Sequence, residues 1–268
     1  MRWPDAPGRL EGGPPVREVL GVFFEVVNGL VRCLWLSMTR RYHSKPYQRE
    51  RTWDHLSWVG ADSLPIVSII SGCTGIILAL QAAMQLEKVG ALSYVANLVG
   101  FSLVTELGPL LTSLILAGRA GAAFTAEIAT MKISEEIDAL SVMGIDPIRF
   151  LIWPKFVAML VMAPLLALWA DFVGIMAGGI FSATALGLSG KVYFEQTATF
   201  LRVSDVMSGL VKSAAFGMAI TLISCTQGLM AREGAADVGR RTTMAVVQSI
   251  FVMILLDLFF TALNYILR

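Results

Sequence analysis

Charge and histidine are the two things this sequence has least of. Only 15% of its 268 residues are charged, where a soluble domain of this size carries about a quarter, and the two histidines, His43 and His55, both fall in one polar stretch. That scarcity leaves no material for a His-based metal site or a Ser-His-Asp triad, and neither an HExxH nor a GxSxG run is present. A GxxxxGK[ST] phosphate cradle is missing too, so no nucleotide-binding motif of that kind is expected in this chain. Cys33, Cys73 and Cys225 lie in or beside apolar segments without metal-type spacing and read as small buried hydrophobes, not as disulfide partners. Neither catalytic activity, nor a cofactor, nor a metal is expected. With 21 Lys and Arg against 20 Asp and Glu, there is no basic field of the kind that marks a nucleic-acid binder.

What remains is apolar. Hydrophobic residues make up 56% of the chain and its mean hydropathy is +0.68, so the solvent for most of it is lipid. Four stretches, 65–86, 91–117, 148–186 and 206–230, and a fifth, 242–267, are each long enough for the about 20 helical residues that cross a hydrocarbon core of about 30 Å. The third is longer than one straight span requires, and Pro154 and Pro164 within it supply kinks or an early interfacial portion. It counts as one span. The expected fold is therefore an all-α integral membrane protein of five transmembrane helices.

Ahead of these spans, residues 1–17 combine Pro4, Pro7, Gly8, Gly12, Gly13, Pro14 and Pro15 with mixed charges and read as a flexible tail, with no signal-peptide pattern. Residues 19–38 are long enough to span, yet Glu18, Gly21, Glu25, Asn28 and Arg32 fall three to four apart and share one helical face. That polar stripe, with Trp35, Trp53 and Trp58 and the basic run Arg40, Arg41, Lys45, Arg49 and Arg51, favours an amphipathic helix lying in the interface of an anionic leaflet. Three regions follow: a tail (1–17), an interfacial helix with a basic elbow (18–58) and a membrane domain (59–268). Lys and Arg concentrate in residues 31–58, 118–155 and 231–241, whereas 87–93, 187–205 and the C-terminus hold only Lys88, Lys191, Arg202 and Arg268. The bias places the N-terminus in the cytoplasm and the C-terminus outside. Small residues at helical spacing, Gly174 with Gly178 and Gly118 with Ala122 and Ala126, permit close approach of helices.

The segment from Gly118 to Pro154 is the least lipid-like part of the middle of the chain. Ala126, Thr130, Ile133, Ile137 and Leu140 form an apolar stripe beside Glu127, Lys132, Glu135, Glu136 and Asp138, as in a helix on the cytoplasmic membrane surface. Ser134 is placed to cap a helix with Glu135 and Glu136 in its first turn, Gly144 to end it, and Asp146-Pro147 to start the next. From pattern alone this helix either joins two spans in solvent or offers a face to a partner.

Three runs in this region, Glu106-Leu-Gly-Pro-Leu-Leu, Ala117-Gly-Arg-Ala-Gly-Ala-Ala-Phe-Thr-Ala-Glu-Ile-Ala-Thr-Met131, and Glu135-Glu-Ile-Asp-Ala-Leu with Gly144-Ile-Asp-Pro-Ile-Arg149, resemble the signature of the MlaE/YrbE family, permeases of MCE-linked ABC transporters. The similarity extends from Ser71-Gly72 and Leu80-Gln81 to Arg240-Arg-Thr-Thr, Leu256-Asp257 and Thr261-Ala-Leu263, covering roughly residues 60–268. The resemblance implies five spans behind an interfacial helix, a homodimer in the bacterial inner membrane, and phospholipid as cargo. It also implies two cytoplasmic ATPase subunits, a periplasmic ring of MCE-domain proteins and often a small STAS-domain subunit. The helix after the second span would then be the coupling helix docked on the ATPase, with Arg119, Glu127, Glu135, Glu136, Asp138, Asp146 and Arg149 as candidate contacts.

For the lipid cavity the resemblance points to Glu106, with Gln81, Asp205, Lys212 and Asp257 as further candidates. Glu106 also stands out on physical grounds, since a carboxylate inside an apolar span is costly. The family pattern often has Arg just before this Glu; here Thr105 takes that place, so no contact through that Arg is implied. Lys212 either neutralises a phosphate, pairs with an acid, or snorkels toward a helix end. Asp171 matches nothing in the family pattern. A secondary carrier using Glu106, Asp171 and Asp257 as an ion or proton relay is the alternative reading, against which stand five spans and no evident inverted repeat.

Overall fold

Helices account for nearly all the described residues of the computed structural model, which are 46–267 apart from 89, 186, 188 and 233, together with 21, 23, 24, 26–28 and 31. Among them there is no strand. The tail and most of the expected interfacial helix lie outside the described residues. Within that helix Val26 is buried, in an apolar cluster with Ile128, Ile137, Leu151, Phe156 and Cys225.

The first long helical segment joins α1 (Pro46–Gly60) to α2 (Leu64–Glu87) through a single 3-10 turn, Ala61–Ser63. Pro65 sits in the first turn of α2, where its missing N–H leaves no bond unmade, and the Ser63 hydroxyl donates back to the Val59 carbonyl at 2.6 Å. The second segment is a rod running Val95–Ile133 over 39 residues, about 58 Å at the α-helical rise and so nearly twice the hydrocarbon thickness. It comprises α3 (Val95–Ser102), α4 (Gly108–Leu116) and α5 (Ala122–Ile133), joined by two π turns, Leu103–Leu107 and Ala117–Gly121. The surface helix expected from residue 118 onward is therefore not separate: its first half is the projecting end of the second span.

The rod stops at Glu135, whose φ of 59° is left-handed. The Ser134 hydroxyl donates to the Thr130 carbonyl at 2.8 Å, so Ser134 closes the preceding helix and does not cap the next as the sequence suggested. α6 (Glu136–Val142) follows. Gly144, with φ 74°, ends it in a Schellman motif, in which the Gly144 N–H donates to the Ser141 carbonyl and the Ile145 N–H to the Leu140 carbonyl, both at 3.0 Å. The Asp146 carboxylate then accepts from the Ile148 N–H at 3.0 Å and a third long segment begins, a π turn Ile148–Ile152 followed by α7 (Trp153–Ala185). Pro164 lies inside α7 and the whole crosses as one span. The short α8 (Gly190–Phe200) leads to α9 (Val203–Leu229) and α10 (Gly234–Leu267).

Five segments are thus long and apolar enough to cross a membrane, Glu50–Glu87, Val95–Ile133, Ile148–Ala185, Val203–Leu229 and Gly234–Ile266. With lipid on both sides of any helix pair, close packing decides which helices touch. α2 meets α7 backbone to backbone: a Cβ on Gly75 would collide with the Gly174 carbonyl oxygen. Gly178 faces the Gly75 carbonyl from the next turn, whereas Gly118 has nothing beside it within 4 Å and belongs to no such contact. α9 lies equally close to the first π turn, where a Cβ on Gly209 would meet the Val104 carbonyl oxygen. The main core gathers Val59, Leu116, Phe124, Met159, Phe216 and Ile220 from α1, the rod, α7 and α9. α10 closes the bundle on one side only, leaving Phe251, Ile254, Leu255, Leu258 and Phe259 exposed.

Candidate functional site

The three π turns carry Glu106, Arg119 and Arg149 respectively, and the first has an identifiable cause. Pro109 has no N–H to offer the Thr105 carbonyl and its ring crowds that group. The chain takes one wider turn, a common device at functional positions, and the Thr105 hydroxyl donates to the Phe101 carbonyl at 2.8 Å within it. Glu106 is thereby aimed at α9 and α10.

Across from it, Lys212 is wholly buried in α9. Its ammonium donates to Glu106 Oε2 at 2.6 Å, to Asp257 Oδ1 at 3.0 Å and to Thr261 Oγ1 at 2.9 Å. Asp257 and Thr261 are one turn apart on α10 and so share a face. The Thr261 hydroxyl donates in turn to Glu106 Oε1 at 2.8 Å, closing a ring of Lys212, Glu106 and Thr261 to which Asp257 is joined through Lys212, four side chains from three segments. One turn further along the same α9–α10 seam, Asn264 Nδ2 donates to Ser208 Oγ at 2.6 Å. Thr261, quoted only as part of the family pattern, and the Asn264–Ser208 pair were not among the cavity candidates, although Asp257, Thr261 and Asn264 recur at spacings of four and three.

Not every cavity candidate joins this ring. Asp205 lies two turns before Lys212, where its carboxylate accepts from the Arg202 N–H at 3.3 Å as part of a capping box. It lines an open cavity of about 420 Å³ with Phe101, Thr199, Phe200 and Arg202. Gln81 is on the exposed face of α2. Asp171 is buried in α7 against Gly108, and its Oδ1 has no hydrogen-bond partner among the described residues.

The end of the bundle that carries α6 separates the remaining candidates into two kinds. Arg119 turns inward on the elbow: it donates to the Trp58 carbonyl at 3.2 Å and to Ser63 Oγ at 2.7 Å, reaches Asp62 at 3.1 Å, and stacks 4.7 Å from the Trp58 ring. Glu127 receives two 2.8 Å bonds from Lys155, a cation that is itself fully buried, with His55 Nε2 at 3.4 Å and the Phe124 ring at 5.2 Å. Arg119 thus fastens the rod to α1 and the turn after it, and Glu127 fastens the rod to α7 through Lys155. Arg149 is half-buried. Glu135, Glu136, Asp138 and Asp146 are exposed, and beside them Val142, Met143 and Ile145 are 90%, 65% and 37% exposed. An acidic rim around an uncovered apolar tip can seat a protein partner, and a 2.8 Å Lys132–Asp138 ion pair braces it across the helix break.

The family model for Permease MlaE matches residues 52–263, which contain every cavity and coupling candidate drawn from the sequence. The chain is a member of the MlaE permease family. It is 40% identical to a probable ABC transporter permease protein of Rickettsia typhi, over 78% of this chain and 81% of that one. With a probable ABC transporter permease protein of Synechocystis it shares 34% identity, over 81% and 82% of the two chains. The chloroplastic protein TRIGALACTOSYLDIACYLGLYCEROL 1 of Arabidopsis thaliana is 34% identical over 77% of this chain and 59% of its own length. The protein is a permease subunit of an ABC transporter and a multi-pass membrane protein. The ring around Lys212 lies among the segments long and apolar enough to span, and the α6 tip follows the end of the 39-residue rod.

Proposed function

We propose that this permease moves phospholipid between membranes as part of an MCE-linked ABC transporter in the bacterial inner membrane. ATP would be hydrolysed by a cytoplasmic partner ATPase, a second copy of the chain would complete the pathway, and a periplasmic ring of MCE-domain proteins, with or without a STAS-domain subunit, would receive or deliver the lipid. The observation that carries this reading is the polar ring of Glu106, Lys212, Asp257 and Thr261 set among helices whose outer faces are apolar. Ile66, Ile69 and Ile77 of α2 and Phe251, Ile254 and Leu258 of α10 are exposed. An amphiphile needs both parts: acyl chains gain about 0.8 kcal/mol per methylene buried, while the headgroup meets the polar ring. The name of the Arabidopsis relative is that of a glycolipid, which supports lipid cargo.

In this reading the α6 tip is the ATPase contact, and the stapled junction of α1, α5 and α7 passes closure of the nucleotide domains to the spans as a rigid-body movement. The N-terminus is then cytoplasmic. Glu106→Ala is expected to abolish lipid transfer in the reconstituted transporter while the complex still co-purifies; normal transfer by this variant would remove the ring from the pathway. Charge reversal of the exposed pair Glu135 and Glu136 is expected to reduce lipid-stimulated ATP hydrolysis by at least about tenfold, the effect of a lost coupling of roughly 1.4 kcal/mol. Unchanged turnover with unchanged co-purification would take the two residues out of the interface. Transport by proteoliposomes holding this chain alone, without an ATPase, would favour the secondary carrier instead.

A further inference from the structure

We infer that the ring around Lys212 recognises the primary amine of a zwitterionic lipid headgroup and not its phosphate, an inference that rests on the lipid-permease reading above. A lysine ammonium has three N–H donors and no acceptor. All three of Lys212 are engaged, by Glu106 Oε2, Asp257 Oδ1 and Thr261 Oγ1 at 2.6, 3.0 and 2.9 Å. The Thr261 hydroxyl hydrogen is also committed, to Glu106 Oε1. The donors in the ring are thus spent on one another, and what faces outward accepts.

Accessibility points the same way. The Lys212 side chain is 0% exposed, whereas those of Glu106 and Asp257 are 36% and 20% exposed. One cation is set against two carboxyl groups, and the next cation along α9, Arg202, precedes the first turn of that helix, about 15 Å along the axis. An arriving phosphate would have to strip a bond from Lys212 and lie against carboxylate oxygens. An ammonium instead completes the lone pairs of Glu106 and Asp257 and balances the second acid, in charge-assisted bonds of the stronger kind.

The test uses the purified full-length chain in detergent, incubated with equimolar phosphatidylethanolamine, phosphatidylcholine and phosphatidylglycerol of matched acyl chains, with bound lipid counted by native mass spectrometry. The expected result is at least about fivefold more phosphatidylethanolamine than phosphatidylglycerol, with phosphatidylcholine, which lacks N–H donors, well below phosphatidylethanolamine. Glu106→Gln keeps the shape and an acceptor for Lys212, and is expected to erase the preference while lipid still binds; Asp257→Asn is expected to weaken it. Acyl-free glycerophosphoethanolamine at the same concentration is expected to leave the bound lipid in place, and displacement would overturn a lipid source for the amine. Equal binding of the three lipids, a preference for phosphatidylglycerol, or a preference that survives Glu106→Gln would overturn the inference alone. No bound lipid of any kind would overturn the lipid-permease reading, and the inference with it.

Discussion

Lys212→Met is expected to lower stability by about 1–3 kcal/mol, the usual cost of leaving partly buried polar groups without their partner, since the carboxyl groups it deserts, Glu106 and Asp257, keep some access to solvent. Methionine matches the length of the lysine stem, so lost packing contributes little. What disappears is the ammonium that donates to Glu106 Oε2 and Asp257 Oδ1, leaving two carboxyl groups against each other with Thr261 as their remaining neighbour in the ring. Thermal unfolding of the detergent-solubilised chain, followed by size-exclusion chromatography with fluorescence detection, is the direct measurement. The triple variant Lys212→Met, Glu106→Gln, Asp257→Asn removes both the cation and the charges it compensates, and is expected to recover most of the lost stability while remaining inactive in lipid transfer. A triple variant no more stable than Lys212→Met would mean that the ring is held by something other than charge compensation.

That ring also marks where sequence reasoning reached its limit. Span positions were legible because lipid imposes about 20 apolar residues on every crossing helix, and each of the five expected stretches falls within one of the long segments apart from a few residues at an end. Glu106 was legible as an acid that lipid would not tolerate without a purpose, and Asp257 through the family pattern. Their meeting at Lys212 was not, because it joins residues 106, 45 and 49 positions apart through helix packing and through a π turn whose only local sign is Pro109. At the α6 end the difficulty was different. Arg119 and Glu127 belong to the same charged stretch of sequence as Glu135 and Glu136, yet the first two are internal staples and the last two face outward. Lys155, the buried partner of Glu127, was overlooked although a lone cation after Trp153-Pro154 was its signal. The break at Glu135 had no glycine or proline to announce it, since the left-handed conformation there falls on a glutamate.

A second large effect is expected two residues beyond Glu106. Gly108 begins α4 directly after the π turn, and its Cα lies so close to Asp171 that an added Cβ would collide with the Asp171 carboxylate and also press on the Leu103 carbonyl. Gly108→Ala would be close to neutral on an ordinary exposed face of a helix, or slightly stabilising through the higher helix propensity of alanine. Here it must push the rod off α7 or unwind the turn that aims Glu106 at Lys212, and overpacking of this kind costs about 1–3 kcal/mol. The same displacement would open the 2.6 Å Glu106–Lys212 bond, so loss of lipid transfer is expected to exceed the loss of stability. Asp171→Ala removes the obstructing carboxylate and with it a buried oxygen that has no partner among the described residues. The double variant Gly108→Ala, Asp171→Ala is therefore expected to be more stable and more active than Gly108→Ala alone, a coupling of about 1 kcal/mol or more between touching residues. Additive effects in that cycle would show that Gly108 is required for backbone freedom and not for space. Recovery would identify Asp171 as the residue that fixes how closely the Glu106 turn seats on α7, and hence how firmly Glu106 is held against Lys212.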